Sequence, residues 1–86
     1  MCATDSDPEV RRVTAEALGR IGSDATDGVL ARLVVDEVAE VRAAALGAYA
    51  ARPDRAQEDL FIRALDDPDP GVRYSSAAAL ERYLIV

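Results

Sequence analysis

Val10-Arg11, Val41-Arg42 and Val72-Arg73 repeat one dipeptide at a constant step of 31 residues. The same step carries Asp5 to Asp36 to Asp67 and Ala17 to Ala48 to Ala79, so four positions are identical in three successive copies. A period of this length is too short for a domain and suits two helices with their turns, stacked so that each unit buries its apolar face on the next. The periodicity therefore predicts an all-α, right-handed αα-solenoid (an alpha-alpha superhelix) of five helices. The domain covers residues 5–86, with copies at about 5–22, 23–53 and 54–84 behind a tail at 1–4.

Composition supports this class. Half of the 86 residues are apolar, yet only three Tyr and one Phe are aromatic, and runs such as Ala43-Ala44-Ala45 and Ala77-Ala78-Ala79 dominate. Alanine has the best helix propensity, and its small side chain lets helices approach closely. Ten Arg, no Lys and sixteen acidic residues leave a formal charge of −6, a field that repels polyphosphate and disfavours nucleic acid as a partner. No apolar run approaches the ~20 residues of a membrane span, and no basic-then-apolar leader precedes the repeats. The single cysteine, Cys2, cannot form an intrachain disulfide, so the expected compartment is the reducing cytoplasm.

Helix punctuation follows local chemistry. Asp7 suits an N-cap and Pro8 the first helical position of a helix over about 8–21, with a stripe of Val10, Thr14, Ala17, Leu18 and Ile21. Gly19 and Gly22 follow no strand and read as a helix stop rather than a phosphate loop. Ser23 or Asp24 caps a second helix to about residue 35, burying Val29, Leu30, Leu33 and Val34. A third, over about 38–51, repeats the first stripe as Val41, Ala45, Ala48 and Tyr49. Asp54 and Gln57 form a capping-box pattern for a fourth helix over about 55–65, burying Leu60, Phe61, Ala64 and Leu65. Asp69-Pro70 opens the fifth, with Val72, Ser76, Ala79, Leu80 and Tyr83 inward.

The run Asp7-Pro8-Glu9-Val10-Arg11-Arg12, followed by Ala15-Glu16-Ala17-Leu18-Gly19-Arg20-Ile21-Gly22, resembles the short HEAT-like repeat of bacterial proteins, also found in phycobilisome lyases. Asp67-Pro68-Asp69-Pro70-Gly71-Val72-Arg73 with Ala77-Ala78-Ala79-Leu80 is similar to it, and the resemblance covers about residues 5–84. The middle copy departs: Val38-Ala39 replaces Asp-Pro, leaving Asp36 as a substitute cap. Its Ala45-Leu46-Gly47 arrives three residues early, which turns Leu46 out of phase with Leu18 and Leu80.

The resemblance implies that the first, third and fifth helices line a concave surface. Positions there free of packing duty are Glu9, Arg12, Val13 and Glu16, then Glu40, Ala43, Ala44 and Gly47, then Gly71, Tyr74, Ser75 and Ala78. Tyr74 and Arg12 are the expected anchors for a peptide, helix or protein partner. It also implies that Asp5, Asp36 and Asp67 with Arg11, Arg42 and Arg73 form a hydrogen-bonded ladder between repeats.

Catalysis has little to build on. The chain contains no His, and Asp66-Asp67-Pro68-Asp69 reads as a turn with an N-cap rather than the about six to eight oxygen ligands of a Ca²⁺ site. The expected function is a non-catalytic protein-interaction module without metal or cofactor. The alternative is a subunit or fragment of a lyase-type HEAT-repeat enzyme handling a chromophore. Three units with an unpaired first helix and an apolar end, Tyr83-Leu84-Ile85-Val86, leave surface to cover. A longer solenoid, a homo-oligomer through terminal helices, or a folded-back tail would each cover it.

Overall fold

The computed structural model describes residues 5–21, 27–51 and 58–84, without the side chains of Asp27 and 82–84. Among them are α1 (Pro8–Ile21), α2 (Asp27–Leu33), α3 (Ala39–Ala50), α4 (Glu58–Ala64) and α5 (Pro70–Leu84). The expected caps Ser23, Asp24, Asp54 and Gln57, the stop at Gly22, the tail at 1–4 with Cys2, and the side chain of Tyr83 lie outside the described set. α1, α3 and α5 lie side by side, α2 packs on α1 and α3, and α4 packs on α5. The Cα trace spans 38 × 29 × 15 Å, its short axis matching two helix layers about 10 Å apart.

Each layer contributes what its sequence supplies. α2 and α4 drive Leu30, Leu33 and Phe61 into the interior, where each is at most 1 % exposed. They meet Ala15, Leu18, Val41, Ala45, Leu46, Ala48, Tyr49, Val72 and Ala79 of the other layer. Both short helices end a residue or two earlier than the pattern suggests. Val34 and Val35 lie in one turn and Leu65 in the next, and Leu65, expected inside, is exposed. Burial in these turns follows the helix end, which periodicity cannot locate to the residue.

The long helices stack through two columns of residues, each related by the step of 31. A Cβ built on Gly19 would lie 2.8 Å from the Ala48 Cβ and 2.9 Å from its Cα, so the Gly19 side of α1 meets the Ala48 side of α3. The leading column is therefore Val10/Val41/Val72, Thr14/Ala45/Ser76 and Ala17/Ala48/Ala79. The trailing column is Arg11/Arg42/Arg73, Ala15/Leu46/Ala77 and Gly19/Ala50/Glu81.

Burial follows the stack. The leading column is buried on α3 and α5 but half-buried on α1, and the trailing column is exposed at all three positions on α5. This corrects the expected stripe of α1. Its deepest residues are Arg11, Ala15 and Leu18, while Val10, Thr14 and Ala17 are half-buried and Ile21 is 63 % exposed. The pattern placed α1 in phase with α3 and α5, but no described helix packs on its leading side.

Two hydroxyls sit in the leading column without harm because each bonds within its own helix. Thr14 Oγ1 donates to the Val10 carbonyl at 2.7 Å and Ser76 Oγ to the Val72 carbonyl at 2.9 Å. In α3 the column slot of Leu18 and Leu80 is filled by Tyr49, while the out-of-phase Leu46 is still only 2 % exposed because it enters the trailing column. Gly19 lies within α1 and does not stop it; its missing side chain permits the approach of α3.

Candidate functional site: the exposed rows of the long helices

Between the packed columns, α1, α3 and α5 present four further rows at the same step: Glu9/Glu40/Gly71, Arg12/Ala43/Tyr74, Val13/Ala44/Ser75 and Glu16/Gly47/Ala78. Eight of these twelve are exposed, and Arg12, Ala43, Ala44 and Ser75 are half-buried. Tyr74 is 77 % exposed and Val13 48 %, the large apolar groups of the set. The exposed side chains here carry no stacking duty and change identity from copy to copy, whereas Ala43 and Ala44, expected to be free of packing, lie partly buried against the core.

Arg12 is not a free anchor. Its Nε and Nη2 donate to the two carboxylate oxygens of Glu9, and its Nη1 donates to Glu16, all on α1. Hydrogen bonding to Glu9, then the charges of both glutamates, pushes its pKa further up. The Arg12 hydrogen bond in turn holds Glu9 below the ordinary carboxylate range. Helical spacing of three and four residues, readable in Glu9-x-x-Arg12 and Arg12-x-x-x-Glu16, creates this clamp. With Glu40 on α3 in the same row as Glu9, the rows are net acidic.

Two hollows mark the furrow between α1 and α3. One, about 470 Å³, is floored by Gly19, Ala44, Gly47 and Ala48 and flanked by Glu16 and Arg20. The other, about 200 Å³, lies at the helix starts among Pro8, Glu9, Arg12, Val38 and Glu40. Small residues make the furrow, and carboxylates set its charge.

The repeated Asp and Arg occupy the turn side of the stack. Arg11 Nε and Nη2 donate to the two oxygens of Asp36 at 2.7 and 3.1 Å, and Arg42 makes the same fork to Asp67 at 2.8 Å for both bonds. The third donor points backwards: Nη1 of Arg11, Arg42 and Arg73 reaches the carbonyls of Asp5, Asp36 and Asp67 at 2.7, 2.8 and 2.8 Å. Each carboxylate also accepts the amide two residues on, Asp7, Val38 and Asp69, at 2.8, 2.9 and 2.9 Å. The turns at Asp36 and Asp67 are thus each braced by their own Asp and read by an Arg from each side. Among the described residues the Asp5 turn is read by Arg11 alone, and Arg73 has no carboxylate ahead of it.

Caps differ between copies. The Asp7 carboxylate accepts Glu9 N and the Asp69 carboxylate accepts Val72 N. Asp36 does not take over this role: Val38 is the N-cap of α3, without a side-chain cap bond, and Asp36 braces the turn before it. In the acidic run 66–69, Asp67 belongs to the Arg42 fork and Asp69 to the α5 cap.

Burial alone would raise the Asp36 carboxyl, but hydrogen bonds from Arg11 and the Val38 amide, with the charges of Arg11 and Arg42, hold it below the ordinary range. For Asp67 the Arg42 hydrogen bond is the largest influence and lowers it, against burial. A carboxylate depressed in the folded state contributes stability above its unfolded pKa and loses it as pH falls through the folded value. The stability difference between the wild type and Asp67→Asn is accordingly expected to be full above about pH 5 and to shrink steadily below about pH 4. Urea titrations of both proteins across that range check it, and a difference independent of pH would contradict it.

Comparison with protein families gives one assignment. A model of HEAT repeats matches residues 1–50 and again residues 26–83. The chain belongs to the HEAT-repeat family. Its five helices are those of an α-solenoid, and HEAT repeats generally mediate protein interactions or act as scaffolds, typically without catalysis. Comparison with curated proteins gives no match. The overlap of the two HEAT matches at 26–50 places α3 in both, as expected for the central unit that packs on α1 and α5. Among the described residues, no helix is long and apolar enough to cross a membrane.

Proposed function

We propose that this HEAT-repeat chain is a non-catalytic interaction module whose exposed rows on α1, α3 and α5, the concave side in the family, receive a peptide, helix or protein surface. The observation that carries the reading is the 77 % exposure of Tyr74, on the face that also presents Val13 and the α1–α3 furrow. A tyrosine there offers a large amphipathic contact, and rigid aromatic groups dominate binding hot spots. Glu9, Glu16 and Glu40 favour a partner with basic residues beside its apolar ones, since opposite charge speeds encounter and fixes register. Ala43, Ala44, Ser75 and Ala78 let a backbone come close.

Selection from a library of amphipathic helical peptides tests this. Selected peptides are expected to be basic and to bind Tyr74→Ala at least about tenfold more weakly, the scale of one hot-spot side chain. Ile62→Ala, at an exposed site on α4, is expected to bind as the wild type does. Equal binding by all three proteins, or loss only in Ile62→Ala, would overturn the assignment.

A further inference from the structure

The two ends of the stack are complementary. Arg73 is held by its Nη1 on the Asp67 carbonyl at 2.8 Å, as Arg11 and Arg42 are held on theirs at 2.7 and 2.8 Å. A second Nη1 contact, to the Pro68 carbonyl at 3.0 Å, fixes it further. In Arg11 and Arg42 this posture delivers Nε and Nη2 to the next carboxylate. In Arg73 the same two donors meet no carboxylate among the described residues. At the opposite end Asp5 is braced by the Asp7 amide at 2.8 Å, as Asp36 and Asp67 are by theirs at 2.9 Å, but among the described residues no guanidinium forks to it.

The apolar columns agree with the charges. Arg73, Ala77 and Glu81 form an exposed trailing face on α5, at the positions where α1 and α3 bury or half-bury Arg11, Ala15, Gly19, Arg42, Leu46 and Ala50. Val10, Thr14 and Ala17 form the half-buried leading face of α1, whose equivalents on α3 and α5 are fully packed. The contact between neighbouring long helices is the most extensive in the structure, so this pair of faces carries the principal joint of the fold.

We propose that a second copy of this chain docks head to tail, its α1 leading face on the α5 trailing face of the first, with Arg73 forking to Asp5 of the second copy. The occupant is a second copy because this surface offers the guanidinium, the carboxylate and the small-residue column in the register that the chain already uses twice. The joint is heterologous, so each added copy leaves the same two ends free and growth is open-ended. One residue departs from the pattern. Glu81 stands where Gly19 and Ala50 allow close approach, so the joint is looser than the internal ones and the association weak. This surface is separate from the rows of the proposed peptide site.

Sedimentation equilibrium of the full chain up to about 1 mM tests it, at low and high salt. The wild type is expected to associate reversibly and less at high salt. Arg73→Glu and Asp5→Arg should each weaken association by about tenfold or more, because like charges replace an opposite pair. An equimolar mixture of these two variants should recover it, since each keeps the end that the other has lost. Glu81→Ala should strengthen association, and Glu16→Ala, on the other face, should leave it unchanged; circular dichroism checks that every variant is folded. A monodisperse wild-type monomer at about 1 mM would overturn the proposal, as would association indifferent to Arg73, Asp5 and Glu81.

Discussion

Replacing Asp36 with alanine is expected to destabilise the fold by about 2–3 kcal/mol, whereas the same change at Asp5 leaves the urea midpoint nearly unchanged. Both residues brace a turn through the amide two positions on, so the comparison cancels that contribution. Asp36 alone also accepts the Arg11 fork, with side chains only 11 % and 9 % exposed for Arg11 and Asp36. Its loss strands a guanidinium in the α1–α3 joint, and the penalty exceeds that of a surface ion pair because water reaches the site poorly. In a domain of this size the change corresponds to a fall of roughly 10–20 °C in Tm. Equal effects at Asp5 and Asp36 would show that the turn brace, and not the fork between repeats, supplies the stability.

Gly19→Leu is expected to cost about 3 kcal/mol or more, because even the first carbon of a side chain would lie 2.8 Å from the Ala48 Cβ and 2.9 Å from its Cα. Neither atom can swing aside, so α1 and α3 must separate. Gly47→Ala provides the opposite sign: a Cβ there meets nothing within 4 Å, and helix propensity alone predicts a gain of about 0.5–1 kcal/mol. Ala48→Gly should recover part of the stability lost in Gly19→Ala, a coupling that chemical denaturation of the single and double variants measures directly. Additive effects would place the two residues out of contact.

The step of 31 made the helix order and the stripes of α3 and α5 legible, because Val41, Ala45, Ala48, Val72, Ser76 and Ala79 repeat a buried pattern and are in fact buried. It did not distinguish an internal unit from a terminal one. Val10, like Val72, stands two residues after a helix-opening proline and just before an arginine, yet its burial depends on a helix on the leading side, a tertiary fact that no local pattern carries. Gly19 looked like a stop because glycine ends helices more often than it permits close contact; its value 29 residues before Ala48 becomes visible only when two helices are aligned by the repeat.

The exposed rows were legible where they only required absence of packing. Tyr74, Val13 and Glu40 face solvent as the phase suggests, while Ala43, Ala44 and Ser75 lean towards their neighbours and are half-buried. Arg12 is expected from the sequence to anchor a partner; its spacing of three and four residues to Glu9 and Glu16 is the signal of the clamp that this expectation misses. The Asp–Arg spacing of six placed each carboxylate in a turn and each guanidinium in the helix after it, but the bond from that guanidinium to its own turn's carbonyl is seen only in the structure. The fork to the following turn spans 25 residues and depends on the stack.

A crystal structure of the chain measures the central claim, that like units are joined by one repeated operation. The account predicts that the rotation and translation carrying residues 5–20 onto 36–51 also carry 36–51 onto 67–82, with Arg11 forked to Asp36 and Arg42 to Asp67 at both joints. Two different operations, or forks absent from both joints, would contradict it.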